Sequence, residues 1–515
     1  MRQIDFFDQG VVIAPEARCL VGPDLTLSFR QAHALSCRVA NGLRAADIAS
    51  AAVLSANDVM GFACILGIFR AETLSLALNA RAALKDNAEH LRLGNGELLF
   101  YHSDFEAEAQ RLCELTPSLK FCVCIDRAGA LGPSLSDWIA DQSESPPEWL
   151  PDDRNRIYRI TLTGGTTGTP KGVMHAHLQA EVNTAAFLAS LHYSDIQPRY
   201  LLAAPMTHAA GLVSFHVLAL GGSVYFMSKI DPLLMLQTIE RERITTTVLP
   251  PTVLYGLLAH PQVREFNFTS LRYLLIGTAP LSAEKLREAV EVFGPALGQL
   301  YGQSECPMAT YLSPQVVADA VANSERAGRL LSCGRPLPLT LMGIMDDDGR
   351  LLPDGERGEI VMRSNQVMRG FVNNPGATAD CSAFGWHHTS DIGYRDADGF
   401  YYIVDRKRDL IISGGFNVYP SEVEQVIWSH PAVQDCAVIG VPDERWGEAV
   451  KAVVLLKPGV QVNEEELIAL CKSRVGSLKA PKTVEFWPEL PRSAVGKVLK
   501  RSIRERYWAG IDRKI

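Results

Sequence analysis

Short apolar runs rich in β-branched and aromatic residues recur along most of the chain. Between them lie stretches whose apolar residues repeat at helical spacing. Tyr158–Leu162, Ser223–Met227, Thr245–Leu249 and Tyr273–Ile276 belong to the first kind, and Ser282–Phe293 to the second. This alternation, from about residue 30 to about residue 400, predicts an α/β fold with largely parallel sheets and flanking helices. The pattern changes after Asp398-Gly399. Tyr401–Val404 and Asp409–Ser413 predict a pair of strands. Ser421-Glu422-Val423-Glu424 predicts a capping-box start for a helix reaching about His430. Strands at Cys436–Val441 and Lys451–Lys457 follow. A second helix opens at Asn463 with Glu466 three residues on, and a strand covers Thr483–Trp487. This is the grammar of a small α+β domain. The expected division is a large domain at 1–405, a hinge at 406–408 and a small mobile domain at 409–515.

A chain of 515 residues exceeds what one core normally serves. Hydrophobic residues at 47% and charged residues at 21% fit an ordinary globular profile. The net charge of -8 opposes nucleic acid as a partner, so an anionic substrate must be held by local basic groups. The longest apolar run, Val59–Phe69, lies between Asp58 and Arg70. It falls far short of the roughly 20 residues of a spanning helix and predicts a buried core helix. The opening MRQIDFFDQG lacks the apolar centre of a signal peptide. The 11 cysteines include no CxxC pair, and Cys122 and Cys124 fit one face of a strand. Free thiols and a cytoplasmic location are expected, with no transmembrane segment. A homodimer is left open.

The most informative segment runs Thr161-Leu162-Thr163-Gly164-Gly165-Thr166-Thr167-Gly168-Thr169-Pro170-Lys171-Gly172. Glycines after a strand expose backbone N–H groups, threonines add hydroxyl donors, and Lys171 adds a positive charge. Such a loop suits a polyphosphate. It is not a Walker A loop, because Pro170 precedes the lysine and Gly172 stands where a Ser or Thr would hold magnesium.

This segment resembles the signature loop of the adenylate-forming superfamily, which includes acyl-CoA synthetases. The usual Thr-Ser-Gly opening is here Thr163-Gly164-Gly165, one hydroxyl fewer. The other family motifs follow in order: Tyr301-Gly302-Gln303-Ser304-Glu305, Thr389-Ser390-Asp391, Asp405-Arg406-Lys407-Arg408-Asp409, and Pro491 through Gly496-Lys497. The likeness extends from about residue 25 to 505. It implies an ATP-dependent enzyme that makes an acyl-adenylate and passes the acyl group to coenzyme A. Thr163, Gly164, Gly165, Thr166, Thr167, Gly168 and Lys171 would hold phosphates, with Thr166 also catalytic. Thr278, Ala279, Tyr301 and Ser304 would surround the nucleotide, and Asp391 with Arg406 would hold the ribose hydroxyls. Glu305 would be the Mg2+ ligand, since a hard cation takes carboxylate oxygen. Lys497 would bridge the incoming carboxylate and the α-phosphate. Its neighbours Lys500 and Arg501 read as solvated charges.

The resemblance also implies a rotation of the small domain about Arg408. Gly414, Gly415 and Trp446 would then meet coenzyme A, with Lys479 and Lys482 as candidates for its phosphates. Pro205-Met206-Thr207-His208-Ala209-Ala210-Gly211 is similar to the segment beside the reactive carboxylate. His208 reads as a wall and hydrogen-bonding group rather than a base, because the carboxylate is already ionised at neutral pH. Thr207, Gly211, Gly302, Gln303, Met308 and Ala309 complete the expected pocket. Its small residues suggest room for an apolar group. No arginine falls among these positions, which argues for an apolar aliphatic, aromatic or alicyclic monocarboxylate. The alternative acceptor is a phosphopantetheine carrier protein. His175, His177, His387 and His388 lack a metal-ligand set and read as structural or surface residues.

Overall fold

The structure, a computed structural model, describes residues 1–163, 170–194, 196–277, 281–492 and 498–508. Three of the four β-rich runs, Ser223–Met227, Thr245–Leu249 and Tyr273–Ile276, fall in the middle of the largest sheet. Its described strands lie in the order Arg335–Pro336, Thr310–Leu312, Leu297–Tyr301, Tyr273–Ile276, Thr246–Leu249, Arg199–Leu202, Ser223–Phe226, Arg18–Val21 and Thr26–Ser28. The six strands from Leu297–Tyr301 to Arg18–Val21 pair in parallel, and antiparallel strands close both ends. Thr246–Leu249 and Tyr273–Ile276 are buried at every position, which is why they read as unbroken runs rather than alternating ones. The helix expected at Ser282 begins at Ala283, with the Ser282 hydroxyl accepting from the Lys285 N–H as its cap.

A second sheet runs Gly370–Phe371, Gly172–Ala176, Ile157–Leu162, Leu74–Leu76, Ser50–Leu54, Leu98–Tyr101 and Phe121–Cys124. It is parallel apart from the antiparallel pairings of Gly172–Ala176. The apolar run at Val59 is the predicted core helix, Val59–Ala71, buried at all positions but Met60. With helix Ala209–Ala219 it joins the two sheets. Phe62 packs on Phe226 of the first sheet at 5.3 Å, Phe69 on Tyr158 of the second at 5.3 Å, and both phenylalanines meet Phe215. All 11 cysteines are free thiols. Among the described residues no helix is long and apolar enough to cross a membrane.

The third sheet departs from the expected parallel pattern. Thr340–Met345, Gly358–Ser364, His387–Arg395 and Tyr401–Arg406 are antiparallel throughout. Short returns join Thr340–Met345 to Gly358–Ser364 and His387–Arg395 to Tyr401–Arg406, and such returns permit only antiparallel neighbours.

Tyr401–Arg406 and Ile411–Ser413 do not pair with each other as predicted. The first closes the third sheet against His387–Arg395. The second pairs with Phe416–Val418 and touches Gly447 in the small-domain sheet. Two short apolar runs flanking a charged turn look like a hairpin, yet here they belong to different sheets. The predicted capping box is also corrected. Helix Pro420–Trp428 is capped at Tyr419 with proline in its first turn. Ser421 instead turns outward: its N–H donates to Asp405 Oδ2 at 2.8 Å and its hydroxyl to the Val404 carbonyl. The expected strands extend into a long hairpin, Val433–Asp443 with Gly447–Leu456, and Thr483–Phe486 joins it in parallel. Asn463 caps helix Glu464–Lys479 through the Glu466 N–H, as its spacing predicts.

Candidate active site

The antiparallel pairing of the third sheet sets Asp391 opposite Arg406. Arg406 Nε lies 3.3 Å from Asp391 Oδ1, while Tyr301 O–H (2.7 Å) and Gln303 Nε2 (2.9 Å) both donate to Oδ2. Gln303 also donates to the Thr389 carbonyl at 2.8 Å. Tyr301, Gln303 and Arg406 thus converge on one buried carboxylate, which lies 90 positions after Tyr301 in sequence. Burial and the neighbouring Asp391 charge push the Tyr301 phenol well above its ordinary range, so it stays a donor. Gln303 was expected in the acid pocket. Its amide is committed to Asp391 and the Thr389 carbonyl.

Glu305 lies on the loop that follows strand Leu297–Tyr301. Gln303 and Cys306 close that loop through reciprocal backbone bonds of 2.9 and 3.1 Å. Burial raises the Glu305 carboxyl above its usual range, against the opposing fields of Arg406 and Lys171. The Glu305 carboxyl is suited to a hard cation, and Arg406 and Lys171 to the phosphate oxygens that would share that cation. Among the described residues no three His, Cys, Asp or Glu side chains gather into a metal site. Ser304 sits on the same half-buried loop.

The phosphate-loop candidate spans a hairpin. Leu162 pairs with Gly172, and the Thr163 N–H donates to the Lys171 carbonyl at 3.0 Å, so the loop's two ends are held together. Lys171 Nζ stands 5.0 Å from the Phe371 ring. Gly164, Gly165, Thr166, Thr167 and Gly168 lie outside the described residues, as do Thr278, Ala279 and Lys497.

His208 precedes helix Ala209–Ala219, and its Nδ1 is 3.1 Å from Thr207 Oγ1. Burial, then the charges of Arg159 and His90, push its imidazole down to about 3, so it is neutral at physiological pH. Thr207, His208 and Gly211 line a cavity. Asn57, which belongs to no motif, fixes the turn before it. Its Oδ1 accepts from the Met206 N–H at 2.8 Å, and its Nδ2 faces the carbonyls of Leu202, Ala204 and Met227 at 2.9 to 3.1 Å.

Met308 and Ala309 are buried in the hydrophobic core. Gly211 and Gly302 do not leave room for an apolar group. A Cβ at Gly211 would strike the Met206 carbonyl, and one at Gly302 the Pro307 carbonyl, so both are glycine for close backbone approach. The cavity wall does contain an arginine: Arg159 lines it beside His208.

In the small domain, Gly414 and Gly415 have φ of +59° and +82° and turn the hairpin between Ser413 and Phe416. The Gly414 N–H donates to the Trp446 carbonyl at 2.8 Å, and a Cβ there would meet the indole. Lys482 stands 5.9 Å from the Trp446 ring. Lys479 is engaged with Glu422 and is less available to a phosphate. Lys500 is not a solvated charge. It pairs with the buried Glu424 at 2.8 Å, and although burial opposes its charge, Glu424, Asp405 and Asp409 hold its pKa above the usual lysine range. Arg501 pairs with Glu505 in solvent, as expected. Arg408 is half-buried, and burial lowers its pKa to about 10.

The AMP-binding enzyme model matches residues 7–372, and the AMP-binding enzyme C-terminal domain model matches 422–497. The chain belongs to the AMP-binding enzyme family. It falls within the acyl-CoA-synthetase-like part of the adenylate-forming superfamily. A medium/long-chain-fatty-acid–CoA ligase of Mycobacterium tuberculosis is 39% identical over 71% of this chain, a match spanning 64% of that enzyme. A feruloyl-CoA synthase of an Amycolatopsis species is 34% identical over 97% of this chain and 99% of its own length. An amide bond synthetase from Marinactinospora thermotolerans superposes with a TM-score of 0.89 at 30% identity, covering 98% of this chain and all of its own.

Proposed function

We propose that this AMP-binding enzyme couples a carboxylic acid to coenzyme A at the expense of ATP. The carboxylate oxygen attacks the α-phosphorus and pyrophosphate leaves, giving the acyl-adenylate. The thiol sulfur then attacks the acyl carbon, the thiol proton is lost, and AMP leaves. The observation that carries this reading is the convergence of Tyr301, Gln303 and Arg406 on Asp391, beside Glu305 and the tied ends of the Thr163–Lys171 loop.

In this reading Asp391 accepts the ribose hydroxyls, exchanging bonds it now makes to Tyr301 and Gln303. Arg406 donates alongside it. Glu305 holds Mg2+, which when bound would neutralise phosphate charge. Thr163 through Lys171 cradle the phosphates, and Thr166 with Lys497 acts on the α-phosphate. Neutral His208 shapes the acid site and takes no proton from the substrate. The cavity beside it is walled mainly by apolar side chains, which supports an apolar aliphatic (fatty), aromatic or alicyclic acid. Residues 1–405 carry the nucleotide and acid sites, and 409–515 turn about 406–408, with Arg408 as pivot, to bring Gly414, Gly415 and Trp446 to coenzyme A. The alternative acceptor is the phosphopantetheine arm of a carrier protein.

The test separates the half-reactions. Lys497→Ala should abolish acid-dependent pyrophosphate release, yet leave thioester formation from supplied acyl-adenylate within a few-fold of wild type. Equal loss in both would refute the two-state scheme. Normal pyrophosphate release without a thioester from coenzyme A would move the acceptor to a carrier protein.

A further inference from the structure

Arg159 lies on strand Ile157–Leu162, directly upstream of the phosphate loop. It is 5% exposed and lines the cavity together with Thr207 and His208. One donor of its fork goes to the Thr207 carbonyl, and the Tyr158 hydroxyl lies alongside. Among the described residues no carboxylate forms an ion pair with it. Arg70 gives the internal contrast: it is equally buried, and Asp8 meets its fork with both oxygens. A buried guanidinium is normally matched in this way, because an unpaired charge away from water is costly.

The surroundings add no negative charge. His90, His175 and His208 all face the field of Arg159, and burial keeps each imidazole neutral. Apart from Ser75 the remaining wall is apolar, with Val53, Phe62, Phe69 and Leu76. The cavity therefore offers an apolar lining with a single positive fork that has spent only part of its five donors. The matching ligand has an apolar body and a carboxylate, the geometry a guanidinium grips bidentately.

We infer that Arg159 is a carboxylate-binding residue of the acid site. This rests on the reaction proposed above, in which a carboxylic acid is a substrate. The carboxylate it holds is either the reacting one or a second one at the far end of the acid, and matched substrates separate the two.

Pyrophosphate release by the full chain is measured with the pairs hexanoate/adipate and benzoate/terephthalate, for wild type, Arg159→Met and Arg159→Lys. Loss of a buried charge-assisted bond predicts an acid KM raised about 10- to 100-fold in Arg159→Met. The KM for ATP and the melting temperature should be unchanged, and Arg159→Lys should restore part of the loss. A loss on both members of each pair assigns Arg159 to the reacting carboxylate. A loss confined to adipate and terephthalate, with wild type preferring them, assigns it to a second one. A folded Arg159→Met with unchanged acid KM overturns the inference. If Arg159→Met does not fold, Arg159→Lys decides, since it keeps the charge and loses the fork: a several-fold rise in acid KM supports the inference and an unchanged KM overturns it. If wild type releases no pyrophosphate with any acid, the proposed reaction fails. Calorimetric titration of the same acids into wild type and Arg159→Lys then reads Arg159 alone: weaker binding to the variant supports the inference, and equal binding or none overturns it.

Discussion

Replacing Asn57 with alanine should unsettle the turn that presents His208. The side chain satisfies the Met206 N–H and shares its two amide hydrogens among three carbonyls. Alanine leaves one buried N–H and at least two carbonyls without this partner, at about 1–3 kcal/mol for each buried group left unsatisfied. Partial relaxation and water entry reduce the sum, so a loss of about 3–5 kcal/mol is expected. For a cooperative unit of about 400 residues, at about 2.1 cal/mol/K per residue, the melting midpoint falls by about 4–6 °C. Differential scanning calorimetry measures it, with Asn57→Asp as the control that keeps the acceptor for Met206 and loses the donors. Acid-dependent pyrophosphate release should fall more than the affinity for ATP, because the Met206–His208 turn moves while the Asp391 cluster stays. A shift below 1 °C with unchanged turnover would refute the strut role.

The protein should be acid-sensitive through its buried imidazoles. His90, His177, His216 and His387 are lowered to about 4, and His175 and His208 to about 3, in each case chiefly by burial. The unfolded chain takes up these protons near the ordinary value of about 6.5 and the folded chain does not. Stability is therefore complete above about pH 6.5 and falls as the pH drops, by about 1.4 kcal/mol per histidine per pH unit. Set against a typical stability of about 5–15 kcal/mol, six such groups predict acid unfolding near pH 5, followed by tryptophan fluorescence. A fold intact at pH 4 would refute this. In the small domain, Lys500→Met strands the buried Glu424 and should cost about 3–5 kcal/mol, seen as an earlier calorimetric transition. Arg501→Met, whose pair is exposed, should leave that transition in place.

What could be read in the sequence follows from the range of the interactions involved. Helix Val59–Ala71, the inner strands and the Asn463 cap were legible because periodicity and capping are local. The pairing of Tyr401–Arg406 was not, because its partner is set by the sheet and not by the next apolar run. At the site, motif order pointed to Asp391 and Arg406, and register sets them side by side. Asn57 and Arg159 carry no motif. One is an asparagine ahead of a helix, the other a charge inside a strand, and only the folded neighbourhood of the Met206–His208 turn gives them meaning. Lys500 was misread for the same reason, since a basic tail gives no hint that Glu424 waits beneath it.

The bonds from Ser421 to Asp405 and Val404 bear on how this molecule can be cut. Cleavage between the two lobes at Lys407 or Arg408 would separate the serine from both acceptors and expose an acid that now sits under cover. A C-terminal fragment made to stand alone should therefore begin upstream of Val404. A protease acting on the intact enzyme should nick this basic stretch slowly, despite its run of lysine and arginine.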